Sequence, residues 1–355
     1  MSVEMSAMKK GWVTARCFEP VAGAVLLSCL LVAGPVVAQT GNARNDATDD
    51  SATARYDALF ATPGRTPVPQ DNIFATAPGV EQQARRSQFT FNILAPFNYN
   101  SNAEAANTGG TRTAEFSPRI NAAWSTPVFD LPLRFSANLF AESDRYTQPA
   151  AYDANFDKLG GSARLQYIDP ENDQAYSPYI SYAPRMDFDP TFGPWFATRQ
   201  DLNIGFNKRF NFDGNFQRVP FSANSRDATV WAFGLTTFLQ QRFRYPTPSS
   251  HAFYVIPSVS YLISENWNAS LGVEVLRRGF QSVGSFARED VLLEPIFTLE
   301  YVMPEAWFGS ARTATLLGRP ALDFQVSYEN NWSNLPAATY NIWRVGVVLK
   351  AGWNF

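Results

Sequence analysis

Ser249 and His251 stand two apart in the stretch PTPSSHAFYVIP, and His251 is the single histidine of the 355-residue chain. A hydroxyl and an imidazole on one face of a strand are the start of a nucleophile and its general base. The simpler reading is a histidine at the edge of a Pro/Ser turn. Carboxylates gather in two stretches read as loops, with Asp144, Asp153 and Asp157 in one and Asp187 and Asp189 (MDFDP) in the next. Oxygen ligands from two loops could hold a calcium ion, but no glycine-anchored loop motif accompanies them, so they read as solvated charge. The chain has no zinc-type spacing, no phosphate-cradling glycine loop and no GxSxG. No cofactor and no metal are expected.

A third set of charges is more informative, because it follows a period. Arg119, Arg134, Arg164, Arg209 and Arg242 come early, and Glu274, Glu294, Glu300, Asp323 and Glu329 come late. Each falls on the polar parity of a segment whose alternate residues are apolar. In LDFQVSYE, Leu322, Phe324, Val326 and Tyr328 oppose Asp323, Gln325, Ser327 and Glu329. FTFNILAPFNY, FSPRINAAW, LRFSANLFAE and DLNIGFNKRF repeat the pattern from residue 88 onward. Period two is the signature of a strand with two unlike faces. Further strands fit near 160–168, 176–185, 228–242, 251–262, 267–278 and 290–302. WRVGVVLKAGWNF closes the chain with Trp343, Val345, Val347, Leu349, Ala351, Trp353 and Phe355 on one face. The total is about twelve strands.

A soluble sheet with one wet face also alternates. Three features point instead to lipid. The apolar set holds bulky aromatics at strand ends, while the polar set is rich in Gly, Ser, Asn and Arg. Trp343 and Trp353 share a face ten residues apart, about 33 Å at about 3.3 Å per residue. A strand tilt near 40° turns this into about 25 Å of height, the spacing of aromatic girdles across an outer membrane. Composition agrees: 17% charged, 15% aromatic and a mean hydropathy of −0.21. Beyond the N-terminus no run approaches the roughly 20 apolar residues of a spanning helix.

The third feature is an address. Lys9, Lys10 and Arg16 precede VAGAVLLSCLLVAGPVVA, and the small residues of PVVAQT suit cleavage after Ala38. Residues 1–38 thus read as a secretory signal peptide. Both cysteines, Cys17 and Cys29, fall within it, so the mature chain would have no disulfide. Residues 39–87, rich in Ala, Asp, Thr and Pro, read as a disordered or plug-forming periplasmic tail. Residues 88–355 read as the barrel. With a net charge of −3 the chain has no electrostatic footprint for nucleic acid.

A leader, a dozen alternating strands and a terminal Phe on an aromatic strand resemble the outer-membrane β-barrel proteins of Gram-negative bacteria. The resemblance covers residues 88–355 and picks no particular family. It implies an all-β, antiparallel up-and-down barrel in the cell outer membrane, surrounded by its lipids. It also implies that periplasmic chaperones and the barrel assembly machinery handle the chain, the latter reading Leu349, Ala351, Trp353 and Phe355. The Ser249–His251 pair resembles outer-membrane phospholipase A in outline. That family, however, places His before Ser and orients it with an Asn on a neighbouring strand, and no Asn stands at the matching height here. With both termini periplasmic, segments 211–226 and 303–319 would be unusually long periplasmic turns, which leaves 10 or 14 strands open.

Parity puts the ten alternating charges inside, roughly a basic wall facing an acidic one. Glu142 and Asp201 interrupt the first, and Arg278, Arg344 and Lys350 the second. Such charges either line a water-filled pore or form a network that closes a narrow lumen. The expected function is a narrow passive channel, porin-like, for small polar or charged solutes. The alternative is a non-conducting envelope anchor working through its N-terminal tail, and a lipid hydrolase at Ser249 and His251 comes third. The sequence sets no oligomeric state.

Overall fold

A computed structural model describes residues 87–354, apart from 104, 109, 130, 169–175, 220–228 and 282–286. The leader, the tail up to residue 86 and Phe355 lie outside the described residues. Thirteen strands form one antiparallel sheet: β1 (Gln88–Asn100), β2 (Thr113–Phe116), β3 (Arg119–Pro127), β4 (Leu133–Tyr146), β5 (Phe156–Tyr167), β6 (Ser177–Phe188), β7 (Trp195–Phe212), β8 (Trp231–Tyr245), β9 (Ser250–Leu262), β10 (Trp267–Phe280), β11 (Glu289–Val302), β12 (Ala321–Ser333) and β13 (Tyr340–Asn354). β2 and β3 both lie between β1 and β4, interrupted at Ser117 and Pro118, and together make one stave. β13 pairs with β1 from Thr90↔Asn354 to Asn100↔Arg344, which closes a twelve-stave barrel with no free edge. Closure satisfies every ladder within the sheet, as a lipid surround demands.

The alternation read from sequence maps onto two faces. Outward, Ile93, Ile120, Leu139, Ile180, Ile204, Leu239, Phe297 and Val345 are exposed. Buried in the same strands are polar neighbours such as Asn92, Arg119, Asn121, Asn138, Ser181 and Arg242. Rings gather at both ends of the outer face. The end that carries the termini holds the pairs Phe91–Trp353, Trp124–Phe135, Tyr176–Phe206, Trp231–Tyr261 and Trp267–Tyr301. The opposite end holds Tyr328–Trp343 and Trp195–Tyr245. Two aromatic belts around an apolar band are what the two membrane interfaces select.

Among the described residues, the long segments that left the strand number open add no strand to the sheet. Residues 213–230 and 303–320 both join staves at the end carrying the termini. The second contains a 3-10 turn (Glu305–Phe308) and α1 (Ala311–Leu316), whose N-cap Ser310 Oγ accepts from the Thr313 amide. It then leans on β13: Gly352 N–H donates to Gly318 O at 2.9 Å, and Trp353 Nε1 donates to Leu316 O at 3.0 Å. Gly318 has φ 73°, and a Cβ there would stand 2.7 Å from the Gly352 nitrogen, so only glycine fits this seam.

Candidate functional site

All ten charges singled out by parity carry their side chains to the inside of the barrel. What the strand register adds is their partners. Arg119 lies 3.6 Å from Glu142, which also pairs with Lys158 at 2.7 Å, and Lys158 reaches Asp144 at 2.8 Å. Arg242 grips Asp201 with two nitrogens at 2.8 and 3.0 Å, and Arg199 joins the same carboxylate at 2.8 Å. On the acidic side, Arg344 reaches Glu329 at 2.9 Å and Glu294 at 3.3 Å. Lys350 bridges Glu300 at 2.6 Å and Asp323 at 2.9 Å. Four of the residues that interrupted the walls in the sequence, Glu142, Asp201, Arg344 and Lys350, are therefore their counter-ions. These pairs lie within one stave or join staves that are adjacent or one apart, and do not span the lumen.

The other arginines of the set also contact uncharged groups. Arg134 Nε and Nη2 both donate to Ser125 Oγ, and Arg209 Nε donates to Asn211 Oδ1. The Arg164 guanidinium carbon stands 3.5 Å from the centre of the Tyr179 ring, a cation–π contact. Glu274 is buried and stands directly across from Glu294.

The interior is less uniformly polar than the alternation implied. Tyr179, Phe238, Tyr254, Ile256, Leu276 and Leu292 form a buried apolar cluster inside the barrel. Phe238 and Tyr254 stack at 4.3 Å, and the Tyr254 hydroxyl accepts from Arg278 Nη2 at 3.1 Å. The signal was present: in VEVLRR and VLLEPIF the inward parity carries Leu276, Leu292 and Ile296 beside its charges.

Packing divides the lumen in two. Along β10 and β11 every inward residue from Asn268 to Arg278 and from Asp290 to Glu300 is buried. Along β7 and β8, Asn203, Gly205, Asn207, Arg209, Gly234 and Thr236 remain partly open to solvent. A chamber of about 90 Å³ lies on that open side, lined by Asn138, Ser162, Arg164, Arg185, Arg199, Asn203 and Asn207 among others. Its lining runs along β7 from Arg199 to Asn207, about 26 Å of strand at about 3.3 Å per residue. At the end away from the termini, the connection after β1 folds over the mouth. Ala105 packs on Tyr340 and Ile342, and Ala103 packs on Tyr146 and Ala151. Asn102 ties this connection down by donating to Ala106 O and Asn341 O.

Two sequence readings change. Asp144, Asp157 and Asp187 sit in strands β4, β5 and β6 and not in loops, because the pairing of these strands extends to the rim. Asp157 accepts from Ser143 Oγ, Arg145 Nη2 and the Phe192 amide, which accounts for its oxygens without a cation. Asp153 lies in the 3-10 turn Pro149–Ala154 and Asp189 just beyond β6. No group of three or more metal-ligating side chains occurs among the described residues.

Ser249 and His251 do not form a dyad among the described residues. Ser249 Oγ accepts from the Arg244 amide at 3.3 Å, and the His251 ring lies over Gly279, where a Cβ would stand 2.7 Å from Nε2. Gln241, opposite His251 on β8, donates to Ser250 O instead of orienting the ring. Of the end residues, Leu349 is exposed, Ala351 pairs with Ile93 and Trp353 with Phe91. Phe355 is outside the described residues.

A closed antiparallel sheet, apolar outside between two aromatic belts and charged inside, defines a transmembrane β-barrel of the outer-membrane class. The chain matches no family model and no curated protein. Among solved structures it is similar to an outer membrane channel from Pseudomonas putida F1, at 9% identity over 75% of this chain and 95% of that one, with a TM-score of 0.41. The translocator domain of the autotransporter NalP from Neisseria meningitidis is 9% identical over 79% and 92% of the two chains, with a TM-score of 0.39. The NanC porin is 12% identical over 72% and 98%, with a TM-score of 0.37. At such identities and overlaps the likeness assigns no function.

Proposed function

We propose that this barrel is a narrow passive channel for small polar or charged solutes, with its path along β7 and β8. One observation carries the reading: solvent reaches inward side chains between Asn203 and Arg209, while those of β10 and β11 are sealed. A water-filled path needs wetted walls, and a transverse asymmetry of charge orients what passes. Single-channel recording of the refolded, full-length protein tests it. Small conductance steps are expected, and a silent bilayer with correctly folded protein overturns the reading.

A second reading has its own support. The connection 101–112 covers the mouth away from the termini, and a barrel so roofed suits a non-conducting envelope anchor that works through residues 39–87. Capture of a periplasmic partner by that segment, together with a silent bilayer, would favour it. In either case the mature chain begins at Gln39 with a periplasmic tail, which the intact mass of protein from the outer membrane checks. Assembly is proposed to depend on Leu349, Ala351, Trp353 and Phe355. Deleting Phe355 removes one interfacial ring, about 1.5–3 kcal/mol even if fully buried, so refolding into detergent should survive while outer-membrane levels in cells fall sharply. Normal levels of the deletion would remove Phe355 from the assembly signal.

A further inference from the structure

Among the described residues, the outward parity of β8 to β13 carries two charged side chains, Arg277 on β10 and Glu289 on β11. They form an ion pair, Arg277 Nη2 to Glu289 Oε2 at 2.8 Å, with the side chains 71% and 54% exposed. On a lipid-facing wall a charge is strongly unfavourable at the midplane and tolerated near either interface. The pair obeys that rule. Glu289 opens β11 and Arg277 stands three residues before the end of β10, both at the end away from the termini. An ion pair so exposed contributes little to stability by itself, so bracing the sheet does not account for it.

The strand register builds a row around this pair. Gln241 is directly opposite His251, His251 opposite Gly279, and Gly279 opposite Glu289. Two residues further into the apolar band, Ile204, Leu239, Phe253 and Arg277 are opposed in turn. Arg277 reaches from this lower row to Glu289 in the upper one. Gly279 is the floor between acid and imidazole, where a Cβ would stand 2.7 Å from His251 Cε1 and Nε2. The two rows line a groove of about 610 Å³, apolar at Ile204, Leu239 and Phe253 and polar at His251, Arg277 and Glu289. Small-molecule sites span roughly 300–1,000 Å³.

An outward groove at this level is bathed by lipid, with acyl chains towards the midplane and headgroups towards the rim. Apolar walls below a charged rim repeat that order. The signs at the rim select the headgroup. One cation and one anion leave no net charge, and a purely anionic headgroup would be repelled by Glu289. An aminophospholipid carries both signs, a phosphate and a primary ammonium two carbons apart. Its phosphate suits the Arg277 guanidinium fork, with a His251 N–H beside it, and its ammonium donates to Glu289. A quaternary ammonium has no proton to donate, and a glycerol headgroup has no cation.

We infer that the groove at Arg277, His251 and Glu289 binds one aminophospholipid, such as phosphatidylethanolamine, on the outer wall of the barrel. The headgroup inserts its two charges into the existing pair, and the chains cover Ile204, Leu239 and Phe253. The site does not depend on whether the lumen conducts.

The test offers the refolded, full-length protein three phospholipids in mixed micelles, with identical chains and ethanolamine, choline or glycerol headgroups. Native mass spectrometry counts the lipids retained per barrel. One ethanolamine lipid is expected to be retained several-fold more often than either of the others. Arg277→Gln and Glu289→Gln are each expected to remove that preference. Their unboiled gel mobility should stay unchanged, since both side chains point away from the barrel interior. Equal retention of the three lipids, or a preference that both variants keep, overturns the site. A glycerol lipid retained best would show a simple anion site and overturns the aminophospholipid assignment as well.

Discussion

The two halves of the lumen hold similar residue types in opposite states. On β9 to β13, Glu294 and Glu329 are fully buried at 0% exposure, and their countercharges come from β13. On β4 to β8, basic groups predominate and polar side chains near Asn203 and Thr236 stay within reach of water. The difference lies in where the opposite charge is placed. An inward charge is sealed when a counter-ion stands at its own height on the next stave or the one beyond. Arg209, which stands opposite Gly234 on β8, keeps part of its solvent. The closed half braces the barrel, and the other half keeps part of its inner wall within reach of water.

The largest effect expected from breaking this contrast comes from the closed half. Arg344→Ala leaves Glu294 and Glu329 buried without their cation, a change that costs about 3–5 kcal/mol. Urea unfolding of the refolded barrel checks it, and a cost below about 1 kcal/mol would mean that water already reaches these carboxylates. Tyr254→Phe is next. It removes the hydroxyl that accepts from Arg278 and contacts Gln240 while keeping the stack on Phe238, for about 1–3 kcal/mol in the same assay. The smallest effect belongs to the open half. Asn203→Ala should change stability by no more than about 0.5 kcal/mol. It should nevertheless raise single-channel conductance by widening the chamber, and an unchanged conductance would place the path elsewhere.

Much of this was legible from period two alone. LDFQVSYE and WRVGVVLKAGWNF each named their outward and inward faces, and the opposed parities of Asp323 and Phe324 survive unchanged in β12. The ten inward charges were found the same way. Pairing was not legible, because it depends on register between strands far apart in sequence. Nothing in the order of residues sets Arg185 beside Arg199 or brings Lys350 to Glu300. Strand ends were also blurred: β7 runs from Trp195 to Phe212, beyond the segment with clean alternation. Its extra length carries Arg199, which stands opposite Arg185 and Arg244. Asp144 and Asp187 looked like loop charges because polar inward residues near a rim resemble a turn.

The distribution of connections around the barrel has one more consequence. Away from the termini, the longest connection is 101–112, and the link between β8 and β9 is only 246–249. The long connections, 213–230 and 303–320, are at the other end. With the tail in the periplasm, the protein would show the outside world connections of no more than twelve residues each. Loop tips are where proteases cut and insertions are tolerated. A cell carrying this barrel would thus present few footholds to antibodies, phages or added protease, and its adaptable surface would face inward.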